Sequence, residues 1–117
     1  MSKIWLTNPE EHDFPAAQDY LELLMTAKEA GAFVSNLKKT KTITKKAKDI
    51  LRACELALLP KENRHVTDNL KKFRKGKKLS PLLLIRGNQK LIIADGYHRI
   101  CASYYLSEDL EVPCRLA

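Results

Sequence analysis

Leu91–Leu106 reads LIIADGYHRICASYYL, an apolar strand that ends in Asp95 and Gly96 and passes directly into an amphipathic helix opened by Tyr97, His98 and Arg99. That order of elements is anion-binding geometry. Backbone N–H groups at a helix start have no intrahelical partner and carry the positive end of the helix dipole. A glycine before them lets a ligand approach the main chain, and an arginine in the first turn forks onto phosphate oxygens. The plainer reading of the same residues is a strand-to-helix turn in which Asp95 caps the helix while His98 and Arg99 are solvated.

Upstream, Leu82 to Ile85 and Lys90 to Ala94 flank Gly87 and Asn88, which predicts a β-hairpin with a loop of three to five residues. Ser80 and Pro81 mark a turn before it. Downstream, Ile100, Tyr104 and Cys101 face inward on a helix that ends near Ser107. Glu111 to Leu116, EVPCRL, closes the chain as a strand that Pro113 confines to an edge.

The first half reads as helices. Ala17, Tyr20, Leu21 and Leu24 share one face of a helix from about Pro15 to Leu24, and Thr26 with Glu29 forms a capping box for a second helix carrying Ala30, Phe33, Val34 and Leu37. The basic stretch KKTKTIT, Lys38 to Thr44, predicts an exposed connection. Thr44 then caps a third helix that buries Ala47, Ile50, Leu51 and Cys54. Ala57, Leu58 and Leu59 are a short apolar run stopped by Pro60, either a brief strand or a helix end. Asn63 to Lys75 returns to helical spacing through Val66, Leu70 and Phe73, with Gly76 as its stop.

At 117 residues the chain has the size of one domain, large enough to bury roughly two-thirds of the surface it exposes when unfolded. We expect a single domain over 1–117, with a helical extension over 1–56 and a core over 57–117. No apolar run approaches the roughly 18 residues of a membrane span, so no membrane partner is expected. The opening MSKIWLTNPEEHDF lacks the pattern of a secretory signal, which makes the cytoplasm the expected location. Cys54, Cys101 and Cys114 are odd in number and far apart, against a disulfide framework. With His12, His65 and His98 isolated and no zinc spacing present, no structural metal is expected.

Charge is unevenly placed. The net charge is +7, yet Lys38 to Lys78 holds 15 Lys or Arg against four acids, and the remainder of the chain is net acidic. A face of this kind attracts phosphate backbones, and Lys71, Lys72 and Lys75 are its candidate nucleic-acid contacts. Phe73 is its only aromatic residue, so base stacking is not the expected mode.

Taken together, the helix, the hairpin ending in Asp95-Gly96-Tyr97-His98-Arg99, the following helix and the closing VPCRL strand resemble the N-terminal domain of ParB partition proteins and the related sulfiredoxins. The resemblance covers about Leu58 to Ala117. It implies an α+β fold, a small ParB/sulfiredoxin-like sheet with helices, preceded here by an N-terminal helical layer. It also implies a nucleotide site (ATP, ADP or CTP, with magnesium possible) in which Gly96, Tyr97, His98 and Arg99 cradle phosphate. Gly96, His98 and Arg99 match the sulfiredoxin motif, but Tyr97 stands where that family has its catalytic cysteine. A phenol cannot replace the thiolate, and Cys101 lies one helical turn away, so sulfiredoxin activity is not expected. The Asp-Gly-x-His-Arg form is also similar to free-serine kinases of this fold, which implies catalytic roles for Asp95 and for Glu62 in the preceding loop. Lys61, Arg64 and His65 flank that loop and are candidates for a nucleotide's outer phosphates. The sequence ends before any helix-turn-helix region of the ParB kind, so partition-site reading by that route is not expected. The expected function is a stand-alone nucleotide-phosphate-binding module associated with nucleic acid. The alternatives are a small ATP- or ADP-dependent kinase of a hydroxylated metabolite and a degenerate protein-interaction domain.

Overall fold

The computed structural model describes residues 4–117; Met1, Ser2 and Lys3, with which the stretch read for a secretory signal begins, lie outside them. The elements run α1 (Asp13–Leu21), α2 (Ala27–Lys39), β1 (Ile43–Lys46), α3 (Ala47–Cys54), α4 (Arg64–Arg74), β2 (Leu82–Arg86), β3 (Leu91–Asp95), α5 (Tyr97–Leu106) and β4 (Glu111–Leu116). The four strands form one mixed sheet in the order β1-β4-β2-β3. The fold is therefore α+β, and no helix among the described residues is long and apolar enough to cross a membrane.

Leu82 to Ile85 explain the layering. A strand covered on both faces reads as an unbroken apolar run, because alternate side chains point to opposite layers and both layers are dry. Leu82 and Leu84 enter a core built with α3, α4 and α5, whereas Leu83 and Ile85 enter a second core built with α1 and α2. All four are at most 1% exposed. Trp5 closes the first core, meeting Phe73 edge to face at 5.5 Å.

The hairpin forms as its turn residues require, with β2 and β3 antiparallel and joined through Gly87 to Lys90. The second helix carries the full reciprocal capping box between Thr26 and Glu29. Gly76 follows α4 at φ 77°, the left-handed conformation of a helix stop.

Several expectations are corrected. The first helix begins at Asp13 and ends at Leu21, because the amides of Leu23 and Leu24 turn back to the carbonyls of Tyr20 and Leu21. Its buried face is Asp13, Phe14, Ala17 and Leu21, while Tyr20 and Leu24 are exposed. The connection Lys38 to Thr44 is not all loop: Ile43–Lys46 is the edge strand β1, paired antiparallel with β4. All four of its side chains are exposed, so no burial pattern marks it in the sequence. Lys46, not Thr44, precedes α3, and the amides of Ala47 and Lys48 donate instead to the carbonyls of Leu110 and Glu108. Ala57 to Leu59 belong to no strand or helix. Ser80 and Pro81 are buried and lead straight into β2 rather than turning in solvent. The last strand is internal despite Pro113, lying between β1 and β2 and parallel to β2. Proline removes only its own N–H from a ladder, and here Pro113 stands opposite Thr44 of the short outer strand.

Candidate functional site

The sheet delivers Asp95 and Gly96 to the start of α5, where Gly96 sits at φ 118°, ψ 17°. This conformation suits glycine, and the space beside it is also occupied. A Cβ there would lie 2.7 Å from Leu82 Cγ and 3.0 Å from Arg99 Nη2. No side chain caps the helix, so Asp95 is not its cap. Ile100 N donates to Gly96 O, and the amides of Tyr97, His98 and Arg99 find no acceptor among the described residues.

Helix α4 supplies the facing wall. His65, Asp68, Asn69 and Lys72 recur at i, i+3, i+4 and i+7, a polar stripe beside the buried stripe of Val66, Leu70 and Phe73. With Asp95 to Arg99 they line a cleft of about 230 Å³. The rings of His65 and His98, read as isolated in the sequence, are 4.7 Å apart across it. Sequence reading does not group Asp68, Asn69 and Lys72: their helical spacing is visible in it, but only α4 packing on α5 shows which face they oppose.

Arg99 is held tightly. Its Nε donates to Ser80 O at 3.0 Å, and Nη2 donates to Pro81 O at 3.3 Å and to Asp95 Oδ2 at 3.0 Å. The guanidinium thus joins α5 to the approach of β2 and balances Asp95, leaving Nη1 without a hydrogen bond among the described residues. Burial pushes the Asp95 carboxyl above its ordinary range, and the adjacent Arg99 charge opposes that shift. Burial, then His65, then Arg99 hold the His98 imidazole below its usual value.

The remaining sequence candidates lie elsewhere or act differently. The Tyr97 hydroxyl donates to Ala57 O at 2.6 Å, as the Tyr105 hydroxyl does to Leu59 O, so both phenols hold down the loop before Pro60. Glu62 is exposed and does not line the cleft with Asp95. Lys61 Nζ lies 5.4 Å from the centre of the Tyr105 ring, and Arg64 is exposed at the start of α4. Lys71 and Lys75 are exposed, while Lys72 also borders a neighbouring hollow of about 240 Å³ that shares Asn69 and Arg99 with the cleft. The three cysteines are free and buried, with burial pushing Cys54 and Cys114 up to about 11. Comparison with protein-family models, with curated proteins and with solved structures finds no match to this chain.

Proposed function

We propose that the chain is a phosphate-binding module of the ParB and sulfiredoxin type, holding the phosphate of a nucleotide between the start of α5 and the polar stripe of α4. One observation carries this reading: unpartnered amides at Tyr97 to Arg99 border the same cleft as Lys72, His65, His98 and the Arg99 guanidinium. Dipole, amides and the Lys72 and Arg99 cations act on one small volume, against the Asp68 and Asp95 carboxylates that also line it. The cleft is smaller than the roughly 300 Å³ at which pockets for whole drug-sized ligands begin, so it suits a phosphate group, with the nucleoside outside it. Exposed Lys71 and Lys75, continuing from Lys72 along α4, support contact with a nucleic-acid backbone beside the site.

A second reading, the small ATP- or ADP-dependent kinase, is favoured by the carboxylates of Asp68 and Asp95 in that cleft, with Asp95 as the candidate base. Glu62, the other candidate of this reading, is exposed and lines neither the cleft nor the hollow beside it.

Thermal shifts with phosphate, ATP, ADP and CTP, with and without magnesium, test the site. A ligand at a hundred times its dissociation constant adds about 2.7 kcal/mol of stability. The pH response has a definite sign. The folded protein holds His98 below the unfolded value of about 6.5, so the unfolded chain binds more protons and stability falls as pH drops below that value. Bound phosphate favours the imidazolium, so His98→Gln is expected to reduce the ligand-induced shift more at pH 6 than at pH 8. No shift with any of these ligands at either pH rejects the phosphate site and leaves a protein-interaction module. Transfer of labelled phosphate to a metabolite pool, abolished by Asp95→Asn, would select the kinase.

A further inference from the structure

Glu10, His12 and Asp13 lie just before and at the start of α1, on the far side of Arg99 from the phosphate cleft, and their donor atoms fall within 4.8 Å of one another. Asp13 is 3% exposed, an unusual place for a carboxylate. Its Oδ2 accepts the Glu10 amide at 2.8 Å. Its Oδ1 accepts no hydrogen bond among the described residues and points at His12 Nε2, 3.4 Å away. On the other side of the same imidazole nitrogen, Glu10 Oε1 stands at 3.9 Å, oriented by a hydrogen bond from Ser80 Oγ at 2.8 Å. Neither contact of His12 Nε2 is a hydrogen bond; the proton of an imidazolium or a metal ion can occupy the space between these donors.

We propose that Glu10, His12 and Asp13 bind a divalent first-row transition cation of the zinc class. Nitrogen and oxygen ligands at about 2.0–2.1 Å in tetrahedral array are about 3.3–3.4 Å apart, the spacing of His12 Nε2 and Asp13 Oδ1. Glu10, whose side chain is half exposed, reaches the same centre by a small rotation. An imidazole ligand selects zinc, cobalt or nickel over magnesium. The carboxylates already have the outer hydrogen bonds of a built site, Ser80 on Glu10 and the Glu10 amide on Asp13. Glu10, His12 and Asp13 also line the hollow of about 240 Å³, together with Lys72, Lys77 and Lys78. Arg99, which lines the same hollow, is paired with Asp95 at 3.0 Å. An anion seated among the lysines would complete the coordination.

Metal-stripped full-length protein titrated with Co²⁺ in phosphate-free buffer provides the test, read by the visible absorption of tetrahedral cobalt and by calorimetry with Zn²⁺. The expected result is one equivalent bound, displaced by Zn²⁺ and not by excess Mg²⁺. His12→Ala and Glu10→Gln, both at exposed positions, are expected to weaken binding at least about tenfold. His65→Ala is expected to leave it unchanged. Absence of cobalt absorption, binding that survives both His12→Ala and Glu10→Gln, or equal displacement by Mg²⁺ overturns the proposal. None of these outcomes depends on phosphate occupying the other cleft.

Discussion

Gly96 meets two demands at once, a left-handed backbone and a space already filled by Leu82 and Arg99. Gly76 meets only the first, with nothing within 4 Å of a Cβ placed there. The pair therefore separates backbone strain from crowding. Gly76→Ala is expected to cost about 1–2 kcal/mol. Gly96→Ala adds to a similar strain about 1–3 kcal/mol of overpacking, and by displacing Arg99 it also removes any stabilisation by phosphate. Urea unfolding of both variants checks this, and equal losses would show that the contacts at Gly96 are not tight. By its sequence context, this glycine makes room for a ligand. The structure shows the room beside its Cα holding the guanidinium of the same motif, which no local pattern discloses.

Helix starts in this chain are capped by local side chains at α2 and α4, by carbonyls of a distant segment at α3, and by no side chain at α5. Thr26 and Glu29 cap α2 reciprocally, so Thr26→Ala is expected to lower stability by about 1 kcal/mol in urea unfolding. Thr44, which has the residue type and place of a cap for α3, makes no such bond. Its side chain donates only to exposed Glu111 at 3.3 Å, and Thr44→Ala is expected to stay within about 0.5 kcal/mol. A larger loss at Thr44 than at Thr26 would contradict this assignment. The α3 amides use carbonyls of the segment before β4, sixty or more residues away, and the first amides of α5 find no acceptor among the described residues. A capping box spans four residues, so it can be read from sequence. Acceptors supplied by a distant loop cannot.

At the scale of the molecule, Arg115 joins the layers. From β4 its Nη1 donates to the carbonyls of Leu37 and Lys38 at the C-terminal end of α2, Nε donates to Thr42 Oγ1, and Nη2 donates to Asn8 Oδ1. It thus brings positive charge to the negative end of a helix that the sheet must hold in place. Arg115→Ala is expected to destabilise the protein by about 2–3 kcal/mol, and Arg115→Lys to recover only a minor part because an ammonium cannot reproduce the fork. Calorimetric unfolding of the two variants decides it; full recovery by lysine would reduce the clamp to a charge effect. The sequence by itself determined the amphipathic helices α2 to α5, the hairpin and the strand-glycine-helix turn at Asp95 to Arg99, because hydrophobic period, caps and glycine conformation act over a few residues. Only tertiary structure decided that Ile43 to Lys46 become a strand, that β4 runs inside the sheet despite Pro113, that α4 faces His98 with His65 and Lys72, and that Glu10, His12 and Asp13 converge beside Ser80. Those outcomes rest on pairings between segments remote in the chain, whose partners exist only once both cores have closed.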